Sequence, residues 1–136
     1  MMDTETAIET FLSAPVFAVA GASQNRAKYG NKVLRCYLQN GRTAIPINPG
    51  ASEVEGQTAY PSISDIPTPV ESLSIITSPP VTEHIVDEAI KTGVKNIWMQ
   101  PGAESPAAIA AAQSAGLNVI ANGPCLLVVL GYHESP

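Results

Sequence analysis

Five of the seven basic residues (Arg26, Lys28, Lys32, Arg35 and Arg42) fall between positions 26 and 42, and no Asp or Glu occurs from Thr10 to Ser52. They follow an apolar run, Val16 to Ala20, that stops at Gly21, Ala22 and Ser23. An apolar strand, a glycine turn and a cationic helix start together suit the binding of phosphate. Glycine lets the backbone come close to an anion, the head of a helix offers unpaired amide donors, and Arg or Lys supplies charge. The plainer reading of the same run is a solvated helix face. The chain as a whole has 136 residues and a net charge of −5, which argues against a general nucleic-acid binder and makes the basic segment a local feature.

The elements that must position these residues follow from periodicity. Residues 3 to 13 read as a helix, capped by Asp3 or Thr4, with Ala7, Ile8, Phe11 and Leu12 on one face and Pro15 ending it. Val16 to Ala20 is a first strand, Gly21 to Tyr29 a turn, and Gly30 to Asn40 a helix that stops at Asn40-Gly41. Thr43 to Ile47 is the second strand. The stretch 51 to 70 is irregular, with one short extended piece and a turn of helix around Ser64 to Ile66. Strands at Ser72 to Thr77, Asn96 to Met99 and Asn118 to Ala121 alternate with helices at Val81 to Lys91 and from Ser105 to Gly116. Five strands alternating with helices imply an α/β fold with a single doubly wound, mostly parallel, Rossmann-like sheet.

Length and composition suit one domain over residues 1–136, with a helix at 1–14, a core at 15–127 and a tail at 128–136. The tail region includes LLVVL (126–130), either a final core segment or the face of a homodimer or of an unknown protein partner. No membrane-length apolar run occurs, the N-terminus is acidic rather than signal-like, and the expected location is cytoplasmic. Cys36 and Cys125 make no disulfide framework.

Ligands of an open parallel sheet bind beyond the carboxyl ends of its strands. Those ends carry Gly21, Ala22 and Ser23 with Arg26 and Lys28; Asn48 and Pro49; Ser78, Pro79 and Pro80; Gln100 and Gly102; and Asn122 and Cys125. No His, carboxylate pair or metal-ligand cluster stands among them, so no catalytic residue and no metal site is assigned. His84 and His133 read as structural or surface residues. The turn also lacks the G-x-G-x-x-G pattern, and the second strand ends in Asn48 rather than in an acid for a ribose 2′-hydroxyl. On charge, NAD is disfavoured, while NADP and coenzyme A, each with an extra ribose phosphate, remain.

VAGAS with its basic residues, YGNKV, IPINP, SPPVTEHIVDEAIKTGVKNIWMQPG and the closing NGPC resemble, in this order, the CoA-binding domain family. Its members are similar to the N-terminal domain of the succinyl-CoA synthetase α-subunit. The resemblance covers Val16 to Leu127. It implies that coenzyme A or an acyl-CoA is bound by the strand-end residues above, all fourteen of which are cofactor-binding candidates; with no catalytic constellation beside them, the reading is binding without catalysis, as in a sensor or carrier. Arg26 and Lys28 would meet phosphate, Asn48 and Pro49 would flank ribose and adenine, and Ser78 to Pro80 would wall the adenine. Gln100 and Gly102 would follow the pantetheine or pyrophosphate arm, with Asn122 and Cys125 on the same edge. Cys125 is either close enough to the CoA thiol for a mixed disulfide or simply a small buried residue. The synthetase's domain with a phosphorylated histidine has no counterpart here, and Gly-Pro-Cys departs from the family's usual Cys-Pro. The alternative is an accessory nucleotide-binding subunit of an acyl-CoA ligase or an NADP-dependent enzyme.

Overall fold

The computed structural model describes residues 3–134. In order, its elements are α1 (Thr4–Leu12), β1 (Val16–Ala20), α2 (Tyr29–Gln39), β2 (Thr43–Ile47), β3 (Glu53–Val54), β4 (Gln57–Thr58), a 3-10 turn (Ile63–Asp65), β5 (Ser72–Ile75), α3 (Pro79–Thr92), β6 (Asn96–Met99), α4 (Pro106–Ser114), β7 (Asn118–Ile120) and a closing π-helical turn (Leu127–Gly131). Five strands form one parallel sheet in the order β2-β1-β5-β6-β7. The doubly wound sheet expected from the alternation of patterns is therefore the sheet observed. Its order reverses between β1 and β5, which opens a crevice at that switch point.

Period-two alternation divides the side chains between the two faces. Phe17 and Val19 of β1 and Trp98 of β6 join Phe11 of α1 and Val33, Leu34 and Tyr37 of α2 in one buried cluster. Ala18 and Ala20 of β1, Leu73 and Ile75 of β5 and Ile97 and Met99 of β6 join Val86 and Ala89 of α3 and Ala108 and Ala112 of α4 in the other. The alanines let α4 sit close to the sheet. On the first face β5 carries serines, and each has a partner: Ser74 Oγ lies 2.5 Å from Tyr37 Oη, and Ser72 Oγ donates to the Phe11 carbonyl at 2.8 Å. Those bonds remove the cost of burying two hydroxyls.

The differences from the sequence reading are local. The stretch 51–70 holds two short antiparallel strands, β3 and β4, instead of one extended piece. They are joined through Glu55 at φ 49° and Gly56 at φ 77°. Two positive φ angles make a tight hairpin turn, but Glu is not a residue that announces one. Helix α3 starts at Pro79 rather than Val81, because two prolines fit its first turn without losing a needed donor. Of the 126–130 run, Leu126 is buried and Leu127 and Leu130 pack on the first cluster, whereas Val128 is 81 % exposed. Among the described residues, no helix is long and apolar enough to cross a membrane.

Candidate functional site

The site is built around two glycines. Gly21 ends β1 at φ +95°, and a Cβ there would stand 2.3 Å from the Ile76 carbonyl oxygen. Its amide donates to the Ile47 carbonyl at 3.3 Å, so the turn is wedged between the ends of β2 and β5. Gly30, in the first turn of α2, comes as close from the other side: its Cβ would lie 1.9 Å from Gly21 O. The head of α2 is thereby pressed against the turn. Among the described residues no side chain caps that helix, and its first turn holds no acid. Its leading amides and the positive end of its dipole suit an anion.

Beside this junction lies a cleft of about 580 Å³. Six of the residues singled out in the sequence line it: Gly21, Ala22, Ser23, Lys28, Asn48 and Pro49. Asn48 ties two loops together, donating through Nδ2 to Ala22 O at 2.8 Å and accepting at Oδ1 from Gly50 N at 2.7 Å. The cleft also takes in Tyr29 and Gly30, which stand outside the strand-end candidates: the sequence places them at the end of the turn and the start of the helix. Its far wall is Pro61, Ser62, Ile63, Thr77, Val81 and Ile85, with Glu88 at the edge, where Ser64 Oγ donates to the carboxylate at 2.7 Å. The helical turn expected around Ser64 to Ile66 is the 3-10 turn at Ile63–Asp65, but nothing in the local sequence marks it or the cleft-facing side of α3 as part of a site, since long-range packing brings them there. Lys28, Tyr29 and Glu88 are the titratable groups of the lining.

The other eight candidates do not line this cleft. Ser78, Pro79 and Pro80 head α3, exposed, while their neighbours Thr77 and Val81 face the cleft. Gly102 donates its amide to Glu104 Oε1 at 2.8 Å. Asn122 is exposed at φ 63°. Gln100 is fully buried; its Oε1 accepts from Leu126 N at 2.9 Å and from Tyr29 Oη at 3.1 Å. Its Nε2 has no partner among the described residues. Cys125 Sγ lies 2.8 Å from the same Tyr29 hydroxyl. Tyr29 therefore stands between the cleft and the pair Gln100 and Cys125, and its burial, then its bond to Cys125, push its phenol above the ordinary range.

The basic segment is not free of acids in space, as it is in sequence. Arg26 pairs with Glu55 at 3.4 Å, Lys32 with Glu134 at 2.9 Å and Arg35 with Glu134 at 3.5 Å. Arg42 donates to the Leu12 carbonyl and lies over the Phe17 ring. Lys28 is the basic residue that lines the cleft, and among the described residues it makes no ion pair. No group of three or more metal-ligating side chains occurs among the described residues.

The sequence matches the family described as CoA binding domain over residues 16–131. The chain belongs to the CoA-binding domain family. This CoA-binding domain is 32 % identical, over 80 residues, to the ADP-forming acetate–CoA ligase II of Archaeoglobus fulgidus, a match that spans 57 % of this chain and 12 % of that enzyme. It superposes on a hypothetical protein of Pyrococcus horikoshii OT3 with a TM-score of 0.87 at 32 % identity, covering 93 % of this chain and 89 % of the other. A further similarity is to acetyl-coenzyme A synthetase 1 of Ca. Korarchaeum cryptofilum, described as dinucleotide forming and solved with phosphate and ADP. There the TM-score is 0.72 at 31 % identity, covering 79 % of this chain and 25 % of the synthetase. The CoA-binding domain thus has relatives of its own length and also corresponds to a minor part of much longer ligases.

Proposed function

We propose that this chain binds coenzyme A or an acyl-CoA in the cleft beside Gly21, as a sensor or carrier, without catalysing a reaction itself. The observation that carries the reading is the junction of Gly21 with Gly30. It leaves the uncapped head of α2 open to an anion, with Lys28 alongside. In this proposal the diphosphate sits on the turn at Gly21, Ala22 and Ser23 and meets Lys28. Pro49 and the apolar wall of Ile63, Val81 and Ile85 enclose the adenine and ribose. The pantetheine arm runs toward Tyr29, behind which Gln100 and Cys125 lie. Non-catalytic binding is supported by the lining, which holds no His and no carboxylate pair: its titratable groups are Lys28, the half-buried Tyr29 phenol and the Glu88 carboxylate, which is bonded to Ser64.

The second reading, an accessory nucleotide-binding subunit of an acyl-CoA ligase, is favoured by the match to one part of the longer ligases. Calorimetric titration with CoA, followed by a search for turnover with acyl-CoA in the absence of any partner, tests both. CoA binding without turnover supports a binding module. Turnover that appears only with a co-purifying chain supports the subunit.

A further inference from the structure

Below the β1–α2 loop lies a cation that phosphate cannot reach. Arg35 is 5 % exposed, in the second turn of α2. Burying a guanidinium is costly unless its donors are used, and among the described residues they reach three partners. Nε donates to Asn31 Oδ1 at 2.6 Å, Nη2 to the Arg26 carbonyl at 2.7 Å, and Nη1 lies 3.5 Å from Glu134 Oε2. Tyr132 lies under the guanidinium, 5.4 Å from ring centroid to Cζ. Asn31, itself fully buried, extends the network: its Nδ2 donates to the Ser23 carbonyl at 2.8 Å and to Glu55 Oε2 at 3.1 Å. Two adjacent side chains of α2 therefore hold the loop at Ser23 and at Arg26, and Glu134 holds one of them.

We infer that Arg35 is a positioning residue that fixes the anion-binding loop and couples its geometry to the C-terminal segment at Tyr132 and Glu134. The inference rests on the CoA reading for its consequence in binding, but not for the coupling itself. A planar fork can span Asn31, Arg26 O and Glu134 at once, and an ammonium cannot. Glu134 is exposed, and its carboxyl is held below the ordinary range by Lys32 first and then Tyr132. The carboxylate sits beside two cations near the site. If it acted through charge alone, removing it would tighten the binding of an anion.

The test uses the full chain with Glu134→Ala and Arg35→Lys, read by amide hydrogen exchange of the ligand-free loop and by calorimetric titration with CoA. Glu134→Ala, at an exposed site, is expected to leave the melting temperature within about 2 °C. It should speed exchange across residues 22–27 and weaken CoA binding, each by about threefold. Arg35→Lys, which conserves charge, should do both by about tenfold. Unchanged loop exchange in both variants, or tighter CoA binding by Glu134→Ala, would overturn the coupling. If the wild-type chain binds no CoA while loop exchange still responds to Glu134→Ala, the CoA reading fails and the coupling stands.

Discussion

The carbonyl oxygen of Gly21 occupies the place where a side chain on Gly30 would begin, only 1.9 Å from an added Cβ. Eight residues, seven of loop and Tyr29 of α2, separate the two glycines, and their contact sets the angle at which α2 leaves the sheet. Gly30→Ala must push backbone against backbone, with no flexible side chain to give way. We expect it to cost about 2–4 kcal/mol in urea unfolding and to abolish CoA binding. Gly41→Ala is the control: φ is +70°, but an added Cβ would meet nothing within 4 Å beyond its chain neighbours among the described residues. Its cost should be limited to the left-handed backbone, about 1–2 kcal/mol, with binding intact.

Gly30 also marks how far the sequence could be read. β1, the turn at Gly21 and the cationic start of α2 are adjacent in the chain, so pattern and composition locate them. Gly30 looked like an ordinary helix residue, because its constraint is a steric contact with Gly21 across the turn. The same limit applies to charge. Glu55 and Glu134 lie outside the acid-free stretch, yet they neutralise Arg26, Lys32 and Arg35, and no local pattern foretells which cations will be paired. Lys28 was legible as a candidate, and folding leaves it in the cleft lining. Gln100 was legible as a strand-end residue, but its burial beside Tyr29 and Leu126 depends on the closing segment folding back over the sheet.

Lys28 is therefore the cation expected to govern phosphate binding. Lys28→Ala should weaken CoA binding by about tenfold, the size of one charge-assisted contact. It should also flatten the dependence of affinity on salt, since one screened attraction is removed. Titration at low and high salt reads both effects. An unchanged affinity would remove Lys28 from the site.

Alkaline pH should destabilise the fold through its buried acids. Burial first, then the neighbouring Cys125 thiol, raises the Cys36 thiol from the ordinary 9.0 to about 11. A group with a raised folded-state pKa gives stability that is fully present below its unfolded value and is lost as pH rises through the folded one. Urea midpoints should hold steady up to about pH 9 and decline between about 9 and 11, with Tyr29 and Tyr37 adding to the fall at higher pH. Cys36→Ala should remove the part of the slope between pH 9 and 11 while lowering stability at pH 7. A wild-type midpoint that stays flat to pH 11 would contradict this account of Cys36.

The central claim is tested most directly by calorimetric titration of ligand-stripped protein with CoA, NADP and NAD side by side. The account predicts that CoA binds, that NADP and NAD do not compete with it, and that removing the CoA 3′-phosphate weakens binding. Preference for NADP over CoA, or binding of none of the three, would contradict it.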